Sequence, residues 1–137
     1  MQQVKNYFTI WILAVLILPT SCSGPEKRSM EVTATAYNSL SSQTSGNPAI
    51  TAWGDTLVPG MKAIAISRDL LDSGFYHTME LNIEGLPGSY KVLDKMNRRW
   101  TKKIDIYMGT DVSLAREWGK KKVTIKWHPS IEGEEEK

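Results

Sequence analysis

The stretch YKVLDKMNRRWTKKIDIY, residues 90–107, holds two short apolar, β-branched runs, and each carries one aspartate. Asp94 ends the first run and Asp105 sits inside the second, eleven residues on, with a loop rich in Lys and Arg between them. Aspartate is a poor strand former and costly to bury. Two strands that each keep one therefore place it either toward solvent or in a partly buried site with a use for it. If those strands pair or neighbour one another, the two carboxylates approach. Like charges in a semi-dry cleft push one pKa upward and give a proton donor at neutral pH, which is what general acid catalysis on an ether oxygen requires.

Further strands flank this pair. EVTATAY (31–37) alternates small apolar and polar β-formers, AITAW (49–53) reads as a short strand, and MKAIAIS (61–67) as a buried one. MELNIE (79–84), the turn GLPG (85–88) and SYKVLD (89–94) read as a hairpin; KIDIYM (103–108) and KKVTIKW (121–127) complete the set. RDLLDSGF (68–75) predicts a turn or a single helical turn. TDVSLAREWG (110–119) predicts a helix of about two turns with Thr110 as N-cap, Gly119 as stop and its Leu and Trp packed on the strands. Six or seven short strands with one real helix make an all-β barrel or sandwich. Asp55, beside Gly54, reads as a turn former, and His77 and His128 as surface or strand-end residues with no metal spacing.

The chain has 137 residues, with 17 Lys and Arg against 15 Asp and Glu, net charge +2. Between residues 30 and 128 there are 13 Lys and Arg against 10 Asp and Glu, too balanced for a dedicated nucleic-acid binder. The first 21 residues have one Lys, an apolar run from Phe8 to Leu18, and small residues before Cys22, the pattern of a secretory signal too short to span a membrane. Cys22 is the single cysteine, so it has no internal disulfide partner. Its setting resembles a bacterial lipobox, with Pro19 where Leu is usual; the resemblance implies acylation of Cys22 and a lipid-anchored, periplasm-facing protein, with the outer membrane as its expected location, beside the plainer readings of an ordinary cleaved signal with a stray cysteine or an uncleaved anchor. Residues 22–30 read as a tether, 31–128 as one domain, and 129–137 as an acidic tail.

The segments VTATAY, TAWGD, AISRDL, VLDKM, IDIY and EWGKKKVTI, in this order, resemble the 3D (Asp-Asp-Asp) domain, from about residue 32 to 127. That family has a six-stranded double-psi β-barrel and includes membrane-bound lytic transglycosylase A and stationary-phase cell-wall proteins. The resemblance implies cleavage of peptidoglycan glycan strands between MurNAc and GlcNAc, leaving 1,6-anhydro ends, with no cofactor and no metal. It maps the three namesake aspartates onto Asp69, Asp94 and Asp105. By the same resemblance Asp105 is the acid/base, Asp94 orients it and raises its pKa, and Asp69 supports the site. Thr35, Tyr37, Thr51 and Trp53 match the groove-lining positions. Where many relatives carry Thr-Gly-Gly-Ala-Ile after the middle aspartate, this chain has KMNRRWTKK, a bulkier basic loop. Arg98 and Arg99 in it suit an anionic polymer. Three other readings of the aspartates stand beside this one: a divalent cation site, glycan binding without cleavage as in expansin-like barrels, and turn-pinning in a purely structural envelope protein.

Overall fold

The computed structural model describes residues 26–40, 47 and 49–129. The signal segment, Cys22 and the tail from residue 130 lie outside them. Six strands, β1 (Arg28–Tyr37), β2 (Ala63–Ile66), β3 (Glu80–Ile83), β4 (Ser89–Lys95), β5 (Lys103–Tyr107) and β6 (Lys121–Trp127), close into a barrel in the order β1-β5-β2-β4-β3-β6. Pairs β1–β5 and β2–β4 are parallel and the other four antiparallel, so β1, β3 and β5 run one way and β2, β4 and β6 the other. The connections 67–79 and 96–102 therefore lie at the end of the barrel where β1 begins.

Period-two alternation assigns the two faces. Val32 and Ala34, Ile64 and Ile66, Val92, Ile104 and Ile106, and Ile125 are wholly buried in the interior. Each such aliphatic larger than Ala contributes about 1.5–3 kcal/mol relative to an exposed position. Phe75 and Trp127, with ring centroids 4.7 Å apart, are buried in the same cluster at the end where β1 begins. On the outer face a smaller apolar cluster joins Leu57, Ala63, Leu93 and Tyr107, with Tyr37 packed against it. Cover from the segment around Leu57 is why β2 is buried on both faces.

Several sequence expectations need correction. Among the described residues there are two helices, α1 (Arg68–Asp72), the single helical turn allowed for 68–75, and α2 (Val112–Trp118), where one real helix is expected. Helix α2 is capped by Asp111 rather than Thr110, with the carboxylate accepting from the Leu114 N–H at 2.9 Å. Leu114 is exposed, while Trp118 packs on the core. AITAW forms no strand, only a single bridge from Ile50 to Thr56. Its backbone is spent locally: Thr51 N–H donates to Asp55 C=O at 2.9 Å and Gly54 N–H to Thr51 C=O at 3.0 Å. Gly54 turns there at φ +92°, a value that glycine adopts without strain. Strand β1 begins at Arg28, so the expected tether loses residues 28–30 to the barrel.

Candidate functional site

Four neighbouring strands bring one row of residues together on the outer face. Thr35 of β1 pairs with Asp105 of β5, Asp105 pairs with Ala65 of β2, and Ala65 pairs with Asp94 of β4. Two strand spacings separate the aspartate backbones, roughly 10 Å, and between them stands only the methyl group of Ala65. Position 105 follows from alternation, since Ile104 and Ile106 point inward. Position 94 does not. From the inward Val92, strict alternation would send Leu93 out and Asp94 into the apolar interior. A bulge prevents this: Ile64 pairs with Val92 but Ala65 with Asp94, so Leu93 is the extra residue. Leu93 packs into the outer apolar cluster and Asp94 shares the face of Asp105.

The two carboxylates line one cavity of about 360 Å³ together with Tyr37, Asn38, Lys95 and Trp100. The Thr35 hydroxyl donates to Asp105 Oδ1 at 2.8 Å. Burial raises the Asp105 pKa above the usual carboxylate range; the Thr35 hydrogen bond and Lys103 oppose the rise, and the Asp94 charge adds the smallest contribution to it. The sequence-based expectation assigned that rise to Asp94, whereas burial is the leading cause. Asp94 is positioned by backbone: its Oδ1 accepts from the N–H groups of Ala52 at 2.7 Å and Lys95 at 2.8 Å. The segment carrying Ala52 is thereby tied to the mouth of the site. Tyr37 has its hydroxyl buried with no partner among the described residues, and burial first, then Asp94 and Asp105, pushes that phenol far above its ordinary value, so it stays neutral.

The remaining sequence-derived candidates lie around this cavity rather than in it. Thr51 is buried, and its hydroxyl donates to Asp55 Oδ2 at 3.2 Å and accepts from Asp55 N–H at 3.0 Å. Asp55 Oδ2 also meets His77 Nε2 at 2.6 Å, and Trp53 lies against the His77 ring at 5.0 Å. Asp55 and His77 therefore fasten the covering segment to the 73–79 connection, a role that neither residue's local sequence disclosed. Lys95 Nζ lies 4.9 Å from the Trp53 ring centroid, which links Trp53 to the cavity wall.

Asp69 is separated from the other two aspartates. It lines an adjacent cavity with Arg98, and its Oδ2 accepts from the Lys102 N–H at 2.8 Å. Lys102 has φ +49°, a left-handed conformation unfavourable for a non-glycine residue. Asp69 thus holds the strained residue that leads directly into β5. Lys103, next along, stacks 3.7 Å over Trp100, and Arg99 lies 4.9 Å from the same ring. Ala65, Asn38, Lys95 and Trp100 line the cavity but were not singled out from the sequence; the aromatic Trp100 within a basic loop was the one available signal. Among the described residues no three His, Cys, Asp or Glu side chains come together to hold a metal ion. Neither the protein-family models nor the curated proteins include a match to this chain.

Proposed function

We propose that the cavity between Asp94 and Asp105 receives a glycan strand of peptidoglycan and that Asp105 cleaves it as the general acid/base of a lytic transglycosylase. The observation that carries this reading is a partly buried carboxyl with a raised pKa, fixed by Thr35 and opening into a cavity beside a second carboxylate. In the protonated form Asp105 gives its proton to the glycosidic oxygen as the bond to C1 breaks. The 6-hydroxyl of the same sugar then attacks C1, and the Asp105 carboxylate takes the hydroxyl proton. The proton balance closes, the product is a 1,6-anhydro sugar, and no second carboxylate is needed as nucleophile, unlike ordinary glycosidases. Asp94 lies across Ala65, where negative charge favours the positive character that develops at C1. On this reading the barrel is of the double-psi, 3D type, and Cys22 anchors it by a lipid to the cell envelope.

A second reading, glycan binding without cleavage, draws on the cation-lined aromatics. Trp53 has Lys95 over it, and Trp100 has Lys103 and Arg99, which suits an anionic polymer whether or not it is cut. Digestion of purified sacculi separates the two. Anhydro-muropeptides in the mass spectrum, lost in Asp105→Asn, support the enzyme; binding with no anhydro product in either protein supports the binding module.

A further inference from the structure

The cavity next to the Asp94–Asp105 site, about 470 Å³, is lined by Arg68, Asp69, Asp72, Arg98, Trp100 and Thr101 among others. Trp100 lines both cavities, so an occupant of one can continue past its ring into the other. We propose that this second cavity is a subsite for a zwitterionic peptide branch, one carrying both an ammonium and a carboxylate, on the glycan bound next door. The inference rests on the reading of the first cavity as a peptidoglycan site.

The charges make the case. Two arginines and two aspartates line one cavity, yet none of these four residues pairs with another among the described residues. Arg68 and Asp72 stand four apart on α1, a spacing at which opposite charges ordinarily meet. They do not meet because Arg68 Nε donates instead to the Met96 carbonyl at 3.1 Å, which draws the side chain across to the basic loop. Arg98 has no hydrogen bond or ion pair among the described residues, and neither does the Asp72 side chain. Asp69 spends one oxygen on Lys102, while the other is buried and has no donor among the described residues. A purely anionic ligand would meet two carboxylates, and a purely cationic one two guanidinium groups. A group with both charges suits both signs, with the carboxylate on the arginines, where a bidentate bond is available, and the ammonium toward Asp72. The volume lies within the range of small-molecule sites.

The test is calorimetric binding of the full chain carrying Asp105→Asn, which cannot cleave its ligand, in detergent to soluble glycan fragments of equal length. One fragment bears peptide branches ending in a diamino acid with free amine and carboxylate; the others have the peptide removed, the amine acetylated, or the carboxylate amidated. The intact branch should bind about tenfold or more tightly than bare glycan, since a hydrogen bond to a charged group is worth at least that, and blocking either charge should remove the advantage. Arg98→Ala and Asp72→Asn should each bring the ratio of the two affinities close to one. Equal affinity for branched and bare glycan overturns the subsite and leaves the glycan site standing. Loss on amidation alone also overturns it, in favour of a simple anion site. Failure of every fragment to bind removes the glycan reading and this inference with it.

Discussion

Asp105→Asn should inactivate the protein and make it more stable at neutral pH, two effects of opposite sign from one atom. The asparagine keeps an Oδ1 to accept the Thr35 hydroxyl, so the 2.8 Å hydrogen bond survives. It has no proton to give to a leaving oxygen, and loss of a general acid costs about 10²–10⁴ in rate. Stability follows from the raised pKa, whose leading cause is burial. The folded state holds the Asp105 proton more tightly than the unfolded state does, so folding binds protons between the unfolded and folded pKa values. Asp105 therefore supports the fold fully below the ordinary carboxylate pKa, and that support is lost as pH rises through the folded pKa. Each tenfold difference in proton affinity is worth about 1.4 kcal/mol. Urea unfolding of both proteins across pH 3–8 should show the Asn variant gaining on the wild type as pH rises, with a plateau once Asp105 is ionised in both states. Asp94→Asn should shift this curve only slightly, toward lower pH, because the Asp94 charge is the smallest contributor. An Asn variant less stable than wild type at pH 7, with an unchanged pH profile, would refute the claim that Asp105 is held in a burial-perturbed state.

Ala65→Leu should fill the gap between the two aspartates. Turnover on sacculi should fall at least tenfold, while an overpacking cost of about 1–3 kcal/mol, read from the urea midpoint, leaves the barrel folded; full activity would mean that substrate does not pass between them. Arg98→Glu with Arg99→Glu should weaken sedimentation with sacculi and flatten its dependence on salt, since exposed charges act through a screened field. Binding that ignores salt in the wild type would point to stacking instead. Cys22→Ser should abolish labelling by a fatty-acid probe in growing cells, and equal labelling of both forms would end the anchor proposal.

The alternating runs made the barrel strands legible, because each has one face with no polar side chain to satisfy. Where the sequence misled, a local hydrogen bond had replaced the ladder. AITAW has strand-like residues, but Thr51 and Asp55 close on each other and leave only the Ile50 bridge. The aspartate pair was legible as a pair, because apolar neighbours on both sides forced the question. Its spatial arrangement was not, since nothing in VLDK marks the extra residue of the bulge. Asp55 and His77 stayed hidden for a different reason: 22 residues separate them, and each alone has an ordinary explanation.

The bulge at Leu93 also bears on why the third aspartate stands apart. Asp94 and Asp105 reach one face because Ala65 lies between their strands, and β2 has no third neighbour to offer. Asp69 follows β2 at the barrel end, and it meets the backbone of Lys102 rather than the shared cavity. Three acids that look equivalent along the chain thus divide by position. Asp105 has a perturbed proton, Asp94 is fixed by the covering segment through Ala52, and Asp69 is spent on a strained residue at the start of β5. That division makes Asp69→Asn informative. The amide can still accept from Lys102 N–H through its oxygen, so Lys102 should keep its conformation. In the parallel variant Asp69→Ala that acceptor is gone, and Lys102→Gly, which tolerates positive φ without help, should restore what Asp69→Ala loses. If activity returns in the double variant, Asp69 positions β5 and never touches the glycan backbone. If it does not, and the peptide-bearing glycan alone loses affinity, the carboxylate serves the neighbouring cavity directly.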